Sequence, residues 1–256
     1  FHSEKHWDQF GVWVDGRQMA RSHGRPQLGI VLEGRPVYLD LENANTEVRT
    51  QADGTVCAVA RLQDSGGAVW QFRRLLSPRC DGAVAIETKV TVDQQRDVFH
   101  LPVVTLLAGV GTFGPAKTQA VLPGVEYLAD EPSSSEADVR GANADRRIVD
   151  DMKLCFPMMS VAADGRYVGL VWSRRDHPAV VFDSPDRIFG SGGHLMALWY
   201  PGVGKARLEN ELHAFRPFTM AANTPLPCSV TVIGGRGETI EPAVRQYVQL
   251  AGGLPP

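Results

Sequence analysis

The feature that most constrains the fold of this chain is a two-residue period in its apolar side chains. Between Val84 and Val92 apolar residues alternate with polar or small ones, and similar alternation runs through 56–62 and 70–72. Successive side chains of a β-strand point to opposite faces of a sheet, so this period is typical of strands with one buried and one solvated face. The sequence therefore predicts a protein built mainly of β-strands.

Turn signals separate these segments. The chain reads Asp-Gly at 53–54, Ser-Gly-Gly at 65–67, and Asp-Gly again at 81–82 and 164–165. Such pairs supply the positive φ angles that tight hairpin turns need. Because hairpin connections join neighbouring antiparallel strands, residues 46–110 are predicted to form an antiparallel meander.

The number of strand candidates predicts the architecture. More than a dozen candidates fall within residues 1–238, so we expect an all-β fold, a single large antiparallel two-sheet sandwich. Residues 239–256 are predicted to hold one C-terminal helix, over 242–250, and the start of a linker to a further domain. The polar segment 130–151 breaks the strand pattern, and we expect it to fold as a loop over one sheet face.

Composition argues against several classes of partner. The net charge of -3 in 256 residues disfavours nucleic acid, which needs clustered basic side chains. The longest apolar stretch, near 101–110, is too short to cross a membrane. The four cysteines are widely spaced, lack a Cys-x-x-Cys pair and lie in or beside apolar runs, so we expect buried free thiols and no zinc site. One disulfide is the alternative if the protein is exported. Nothing in the sequence indicates a metal or a cofactor.

One cluster of side chains has the chemistry of a sugar-binding site. Trp172 is followed closely by Arg174, Asp176 and His177 at the end of a predicted strand. An aromatic ring can stack on the C–H face of a sugar while charged neighbours hydrogen-bond its hydroxyls. Core packing is the competing interpretation of the indole.

Three further residues extend this prediction. His194 and Trp199 are candidate carbohydrate contacts, although core packing is again the alternative for Trp199. Glu126 lies in an apolar strand-like run, where a partly dry carboxylate acquires the raised proton affinity that suits acid–base catalysis. Glu126 and His177 are therefore the candidate catalytic pair, with a water-facing or Arg-paired Glu126 as the alternative.

Three segments resemble a family of large bacterial proteins. These segments are 122–128, 130–135 and 168–172, which read Leu-Pro-Gly-Val-Glu-Tyr-Leu, Asp-Glu-Pro-Ser-Ser-Ser and Val-Gly-Leu-Val-Trp. In that family a galactose-mutarotase-like β-supersandwich precedes a helical toroid, as it also does in several glycosidases and polysaccharide lyases. The resemblance extends from about residue 70 to the C-terminus.

The resemblance implies a fold and a substrate class. It implies a carbohydrate-associated module of a larger secreted, extracellular or periplasmic, glycan-degrading enzyme, with a C-terminal helical domain in the same parent chain and an oligo- or polysaccharide as partner. The histidine motifs of true mutarotases do not align with this sequence. Two alternatives stay open: a free-standing sugar epimerase, hydrolase or lyase that uses Glu126 and a histidine, and a structural domain without a ligand.

Overall fold

The computed structural model describes residues 2–3, 5–130, 148–204 and 206–253. Within these residues the chain forms nineteen β-strands and one α-helix. The strands are β1 His2–Ser3, β2 Phe10–Val14, β3 Arg17–Ser22, β4 Gln27–Leu32, β5 Arg35–Asp40, β6 Asn45–Thr50, β7 Val56–Gln63, β8 Val69–Pro78, β9 Val84–Val92, β10 Arg96–Ala108, β11 Gln119–Leu122, β12 Glu126–Ala129, β13 Ile148–Val149, β14 Met158–Ala163, β15 Arg166–Trp172, β16 Ala179–Asp183, β17 His194–Tyr200, β18 Phe218–Met220 and β19 Leu226–Arg236. The helix is α1, Glu241–Ala251.

The strands form two facing sheets. The ten-stranded sheet has the order β1-β2-β3-β10-β17-β16-β13, with β4 and β18 also pairing with β10, and β5 pairing with β4. The nine-stranded sheet has the order β12-β11-β14-β15-β19-β9-β8-β7-β6. The pairs recorded in both sheets are antiparallel, for example β8 with β9 and β10 with β17. The predicted antiparallel two-sheet sandwich is confirmed.

The meander predicted for 46–110 is correct up to β9. Strands β6 to β9 are consecutive neighbours in the nine-stranded sheet, joined by short turns. Strand β10 instead pairs with β3, β4, β17 and β18 of the facing sheet. The long apolar run of β10 is consistent with a buried strand, but it does not indicate which sheet the strand joins.

The core lies between the two sheets. One apolar cluster combines residues of β2, β3, β10, β16 and β17 with residues of β9, β14, β15 and β19, which belong to the facing sheet. A second cluster joins β4 and β10 to β7, β8 and β9 in the same way. Burial of these side chains is the main favourable contribution to folding.

A buried ion pair crosses this core. Arg74 of β8 is fully buried and donates to the Asp8 carboxylate, to Thr88 Oγ1 at 3.1 Å, and to the backbone carbonyl of Val103. Its guanidinium also lies 4.5 Å from the ring centroid of Trp7. A charge at this depth is tolerated because its donors find acceptors there.

Helix α1 covers the outer face of the nine-stranded sheet. Its side chains Ala243 and Tyr247 pack with Tyr167 and Ile233 of the sheet. The helix predicted for 242–250 is confirmed within one residue at each end, while a domain boundary after residue 238 stays a prediction. No helix in the described ranges is both long and apolar enough to traverse a bilayer.

The predictions for the 130–151 loop and for the cysteines are only partly supported by the structure. Residues 131–147 of the loop expected at 130–151 lie outside the described residues, and near its end Ile148–Val149 forms β13. All four cysteines are free thiols. Cys80 and Cys155 are exposed, although the apolar runs beside them suggested that these thiols would be buried.

Candidate functional site

The first four predicted site residues lie around the end of β15. Trp172 is only 5% exposed, and its neighbour Arg174 donates to the backbone carbonyl of Leu154. The Asp176 carboxylate accepts from the amide and the hydroxyl of Ser229, at 3.4 and 3.3 Å. His177 is exposed, and its ring lies 3.7 Å from the Asp151 carboxylate.

The tryptophans and one histidine of the predicted site are buried. Trp172 shares the inner face of β15 with Val168 and Leu170, so its ring packs into the core between the sheets. Trp199 is 4% exposed, and its indole N–H donates to the hydroxyl of Thr105 at 3.1 Å. His194 is fully buried, with Nδ1 2.8 Å from the Ser184 hydroxyl. A ring without an exposed face has none to offer a sugar, so core packing is the better interpretation of Trp172.

The predicted residues divide between the two sheets. Arg174 lines an open cleft of 470 Å³ between the outer face of the nine-stranded sheet and the C-terminal half of α1, and Trp172 borders this cleft although its ring packs into the core. Glu126 begins β12 at the edge of the same sheet. His194 and Trp199 instead belong to β17 of the ten-stranded sheet. The site predicted from the sequence thus includes residues that do not lie on one surface of the fold.

The described residues form a continuous set of aromatic and imidazole rings at another place. Leu195, Ala197 and Trp199 point to the outer face of the ten-stranded sheet, away from Met196 and Leu198, which point into the core. Rings from β5, β10 and three connections pack along this face around Trp199. We call this set the ring band; its members are His23, Tyr38, Phe99, His100, Phe189, Trp199 and His213.

Successive rings of the band are in contact. The centroid of Trp199 lies 5.0 Å from that of His100 and 6.4 Å from that of Phe189. His213 lies 5.9 Å from both His100 and Tyr38. The band is exposed at Tyr38, at Phe189 and at His213. The band therefore presents partly exposed rings to solvent at several points along one surface.

Strand pairing explains how one end of the band is assembled. Gly29 of β4 pairs with Tyr38 of β5 on one side and with His100 of β10 on the other. A side chain at position 29 would collide with the Phe99 ring, because an added Cβ would lie 2.5 Å from Cε2 of Phe99. The glycine thus leaves space for rings contributed by the two neighbouring strands.

The imidazoles of the band are held neutral. Burial, followed by the positive charge of Arg207 and by His213, lowers the pKa of His100 to about 3. Burial, together with the Arg207 charge, also lowers the pKa of His213, and burial lowers the pKa of His23. A neutral imidazole has one N–H donor and one acceptor nitrogen. At neutral pH the band therefore presents rings that can both stack and hydrogen-bond.

Several buried polar atoms at or near this band have no hydrogen-bond partner among the described residues. They include Nδ1 of His100, Nη2 of Arg207 and Oδ1 of Asn210. Arg207 and Asn210 lie on the segment 201–217, which joins β17 to β18. Buried polar atoms without partners are rare in folded proteins and need an explanation, such as a bound water or ligand. Among the described residues, no three His, Cys, Asp or Glu side chains cluster as metal ligands would.

The sequence offered only weak signals for this band. His100 is a polar residue inside the long apolar strand β10, and this was the one local signal available. Tyr38 and His213, whose hydroxyl and ring nitrogens lie 3.3 Å apart, are separated by 175 residues along the chain. Their contact depends on the pairing of distant strands, so no local motif marks it.

Comparison with known proteins identifies the fold. No family model matches the chain, and no curated protein matches it. Among solved structures, it is similar to the α-N-acetylgalactosaminidase NagBb from Bifidobacterium bifidum in two complexes. With Gal-NHAc-DNJ the TM-score is 0.59 at 13% identity, covering 98% of this chain and 37% of that one. With GalNAc the TM-score is 0.58 at 16% identity, covering 98% of this chain and 38% of that one.

A smaller protein gives a third match. The GalM/aldose epimerase homologue from C. elegans superposes with a TM-score of 0.52 at 10% identity, covering 82% of this chain and 78% of that one. The chain therefore spans somewhat more than a third of NagBb and most of the epimerase homologue. These matches, together with the two antiparallel sheets, show that the chain has a galactose-mutarotase-like β-sandwich fold.

Proposed function

We propose that this chain is a carbohydrate-binding β-sandwich module of a larger secreted glycan-degrading protein, and that the ring band is its sugar-binding surface. The observation that carries the proposal is the coexistence, on one sheet face, of exposed rings and buried polar atoms without partners. Neither feature alone identifies a sugar site.

The chemistry of a pyranose matches this surface. One face of the sugar ring is lined by C–H groups, which pack on an aromatic ring such as Tyr38. Its hydroxyls both donate and accept hydrogen bonds. The neutral imidazoles of His100 and His213 provide both roles, and the guanidinium of Arg207 adds donors.

The matched structures support the class of ligand. One is named as an α-N-acetylgalactosaminidase in complex with GalNAc, and another as a homologue of an aldose epimerase. Both names refer to proteins that act on sugars. The chain covers 37–38% of the glycosidase, which fits a role as one module of a longer enzyme.

The proposal predicts a specific effect of removing the exposed ring of Tyr38. Tyr38→Ala is expected to raise the dissociation constant for galactose or N-acetylgalactosamine about two- to tenfold, because a ring contact contributes about 0.5–1.5 kcal/mol beyond area burial. Ligand-observed NMR titration measures both constants.

The matched control is Tyr127→Ala. Tyr127 is 60% exposed, against 45% for Tyr38, but it lies on β12 at the edge of the other sheet. Its removal should leave both dissociation constants unchanged. Equal effects of the two substitutions, or no effect of Tyr38→Ala in a folded protein, would show that the sugar does not bind at the ring band.

A further inference from the structure

Arg207 differs from Arg74, the other fully buried arginine of the described residues, in having no carboxylate partner. Its side chain is fully buried. Nε donates to the carbonyl of Pro201 at 3.1 Å, and Nη1 donates to the carbonyls of Glu211, at 3.2 Å, and Leu212. These bonds fix the plane of the guanidinium, while Nη2 has no acceptor among the described residues.

Arg74 and two partly buried arginines are each paired with a carboxylate. The pairs are Arg74 with Asp8, Arg96 with Asp64 at 2.8 Å, and Arg187 with Asp183 at 2.6 Å. In each pair the carboxylate is at most 5% exposed. A buried charge without a counter-charge costs several kcal/mol, so such pairing is expected. Arg207 departs from this pattern.

The groups around Arg207 do not neutralise it. The imidazoles of His100 and His213 both interact with its charge, and both are held neutral, since burial and that charge lower their pKa values. Glu211 attracts the guanidinium, but its carboxylate forms no ion pair with Arg207 within 4.0 Å in the described residues. This end of the ring band therefore carries a positive charge that no ion pair among the described residues balances.

We propose that the sugar bound by the ring band is acidic, and that its carboxylate pairs with Nη2 of Arg207. This inference rests on the proposed function and assigns a uronic acid as the ligand class. Only one nitrogen of the guanidinium is free, so it binds one carboxylate oxygen. Tyr38 and His213, two exposed rings on which the Arg207 charge acts, are the donors for the other oxygen. To reach Nη2, the carboxylate separates the Tyr38 hydroxyl from the His213 ring nitrogens, which lie 3.3 Å apart.

The wild-type protein provides the first test. Dissociation constants are measured by ligand-observed NMR for galacturonate, its methyl ester and galactose, with acetate and inorganic sulfate as sugar-free anions. Because hydrogen bonds to charged groups contribute about 1.5–3 kcal/mol, galacturonate should bind about ten- to a hundredfold more tightly than galactose or the ester.

Each other outcome is decisive. Equal binding of galacturonate and galactose would overturn the inference and leave the proposed function standing. Acetate or sulfate binding as tightly as galacturonate would show a simple anion site and overturn the assignment to an acidic sugar. Binding of none of the sugars would overturn the inference and the proposed function together.

Substitutions test whether Arg207 causes the preference for galacturonate over galactose. Arg207→Met should abolish the preference for galacturonate over galactose, while Arg207→Lys, which keeps the charge, should retain part of it. Arg61→Met, at an exposed arginine on β7, should leave the preference unchanged. Because Arg207 also donates to the backbone carbonyls of Pro201, Glu211 and Leu212, circular dichroism and a cooperative urea-unfolding transition confirm that each variant is folded. A full preference in Arg207→Met would overturn the inference.

Discussion

Replacing Asp8 with alanine is expected to lower the free energy of unfolding by about 3–5 kcal/mol, because the substitution leaves the charge of Arg74 buried without its carboxylate. The Arg74 side chain is fully buried, and that of Asp8 is 5% exposed. The guanidinium would keep Thr88 and the Val103 carbonyl as acceptors, and neither carries a counter-charge. Urea unfolding followed by tryptophan fluorescence measures the change.

Two comparisons make this prediction specific. Glu241→Ala breaks an ion pair with Arg245 on the exposed surface of α1, and it should cost less than about 1 kcal/mol. The double substitution of Asp8 and Arg74 by leucine and methionine should recover much of the loss, since apolar side chains can replace a buried pair. A cost for Asp8→Ala as small as that for Glu241→Ala would show that the core does not depend on the pair.

The stability of the protein is expected to fall by about 2 kcal/mol between pH 6.5 and pH 5 through His100 alone, at 1.36 kcal/mol per pH unit. Burial lowers the pKa of His100 from 6.5 to about 3. Below pH 6.5 the His100 imidazole therefore binds a proton in the unfolded chain but stays neutral in the folded chain. The contribution of neutral His100 to the free energy of unfolding is fully present above pH 6.5 and is lost progressively as the pH falls towards 3.

His100→Gln should reduce this acid loss by about 2 kcal/mol at pH 5, as measured by urea unfolding at pH 7 and pH 5. It should not remove the loss entirely, because burial also lowers the pKa of His194, to about 4. His177→Gln is the control, since the His177 side chain is 77% exposed. If His100→Gln keeps the wild-type difference between the two pH values, the imidazole is not held neutral in the fold.

Local sequence patterns predicted the secondary structure and sandwich architecture well. The alternation in Val84–Val92 and the turn at 81–82 depend only on neighbouring residues. They therefore predict a strand and a hairpin irrespective of the rest of the fold. The crossing of β10 to the second sheet was not predictable in this way. Its long apolar sequence indicates a buried strand, but the sheet that it joins depends on partners such as β17 that are far away in sequence.

The candidate site was predictable only in fragments. Trp199 was identified from its type and belongs to the ring band, but as a buried ring that donates to Thr105. Trp172 was chosen because polar residues follow it, yet the same alternation that made β15 a strand placed its ring in the core. The band itself is assembled from β5, β10 and the 201–217 segment, whose meeting is a property of the topology and not of any local motif.

The most direct test of the ring band is an NMR titration of the histidine rings with sugar. Protein labelled with ¹⁵N in its imidazoles is titrated with galacturonate and with galactose, and the side-chain resonances are followed. Saturable shifts of His100 and His213, with those of His177 unchanged, are the result that sugar binding at the ring band predicts. Shifts of His177 at the end of β15, with His100 and His213 unmoved, would contradict it.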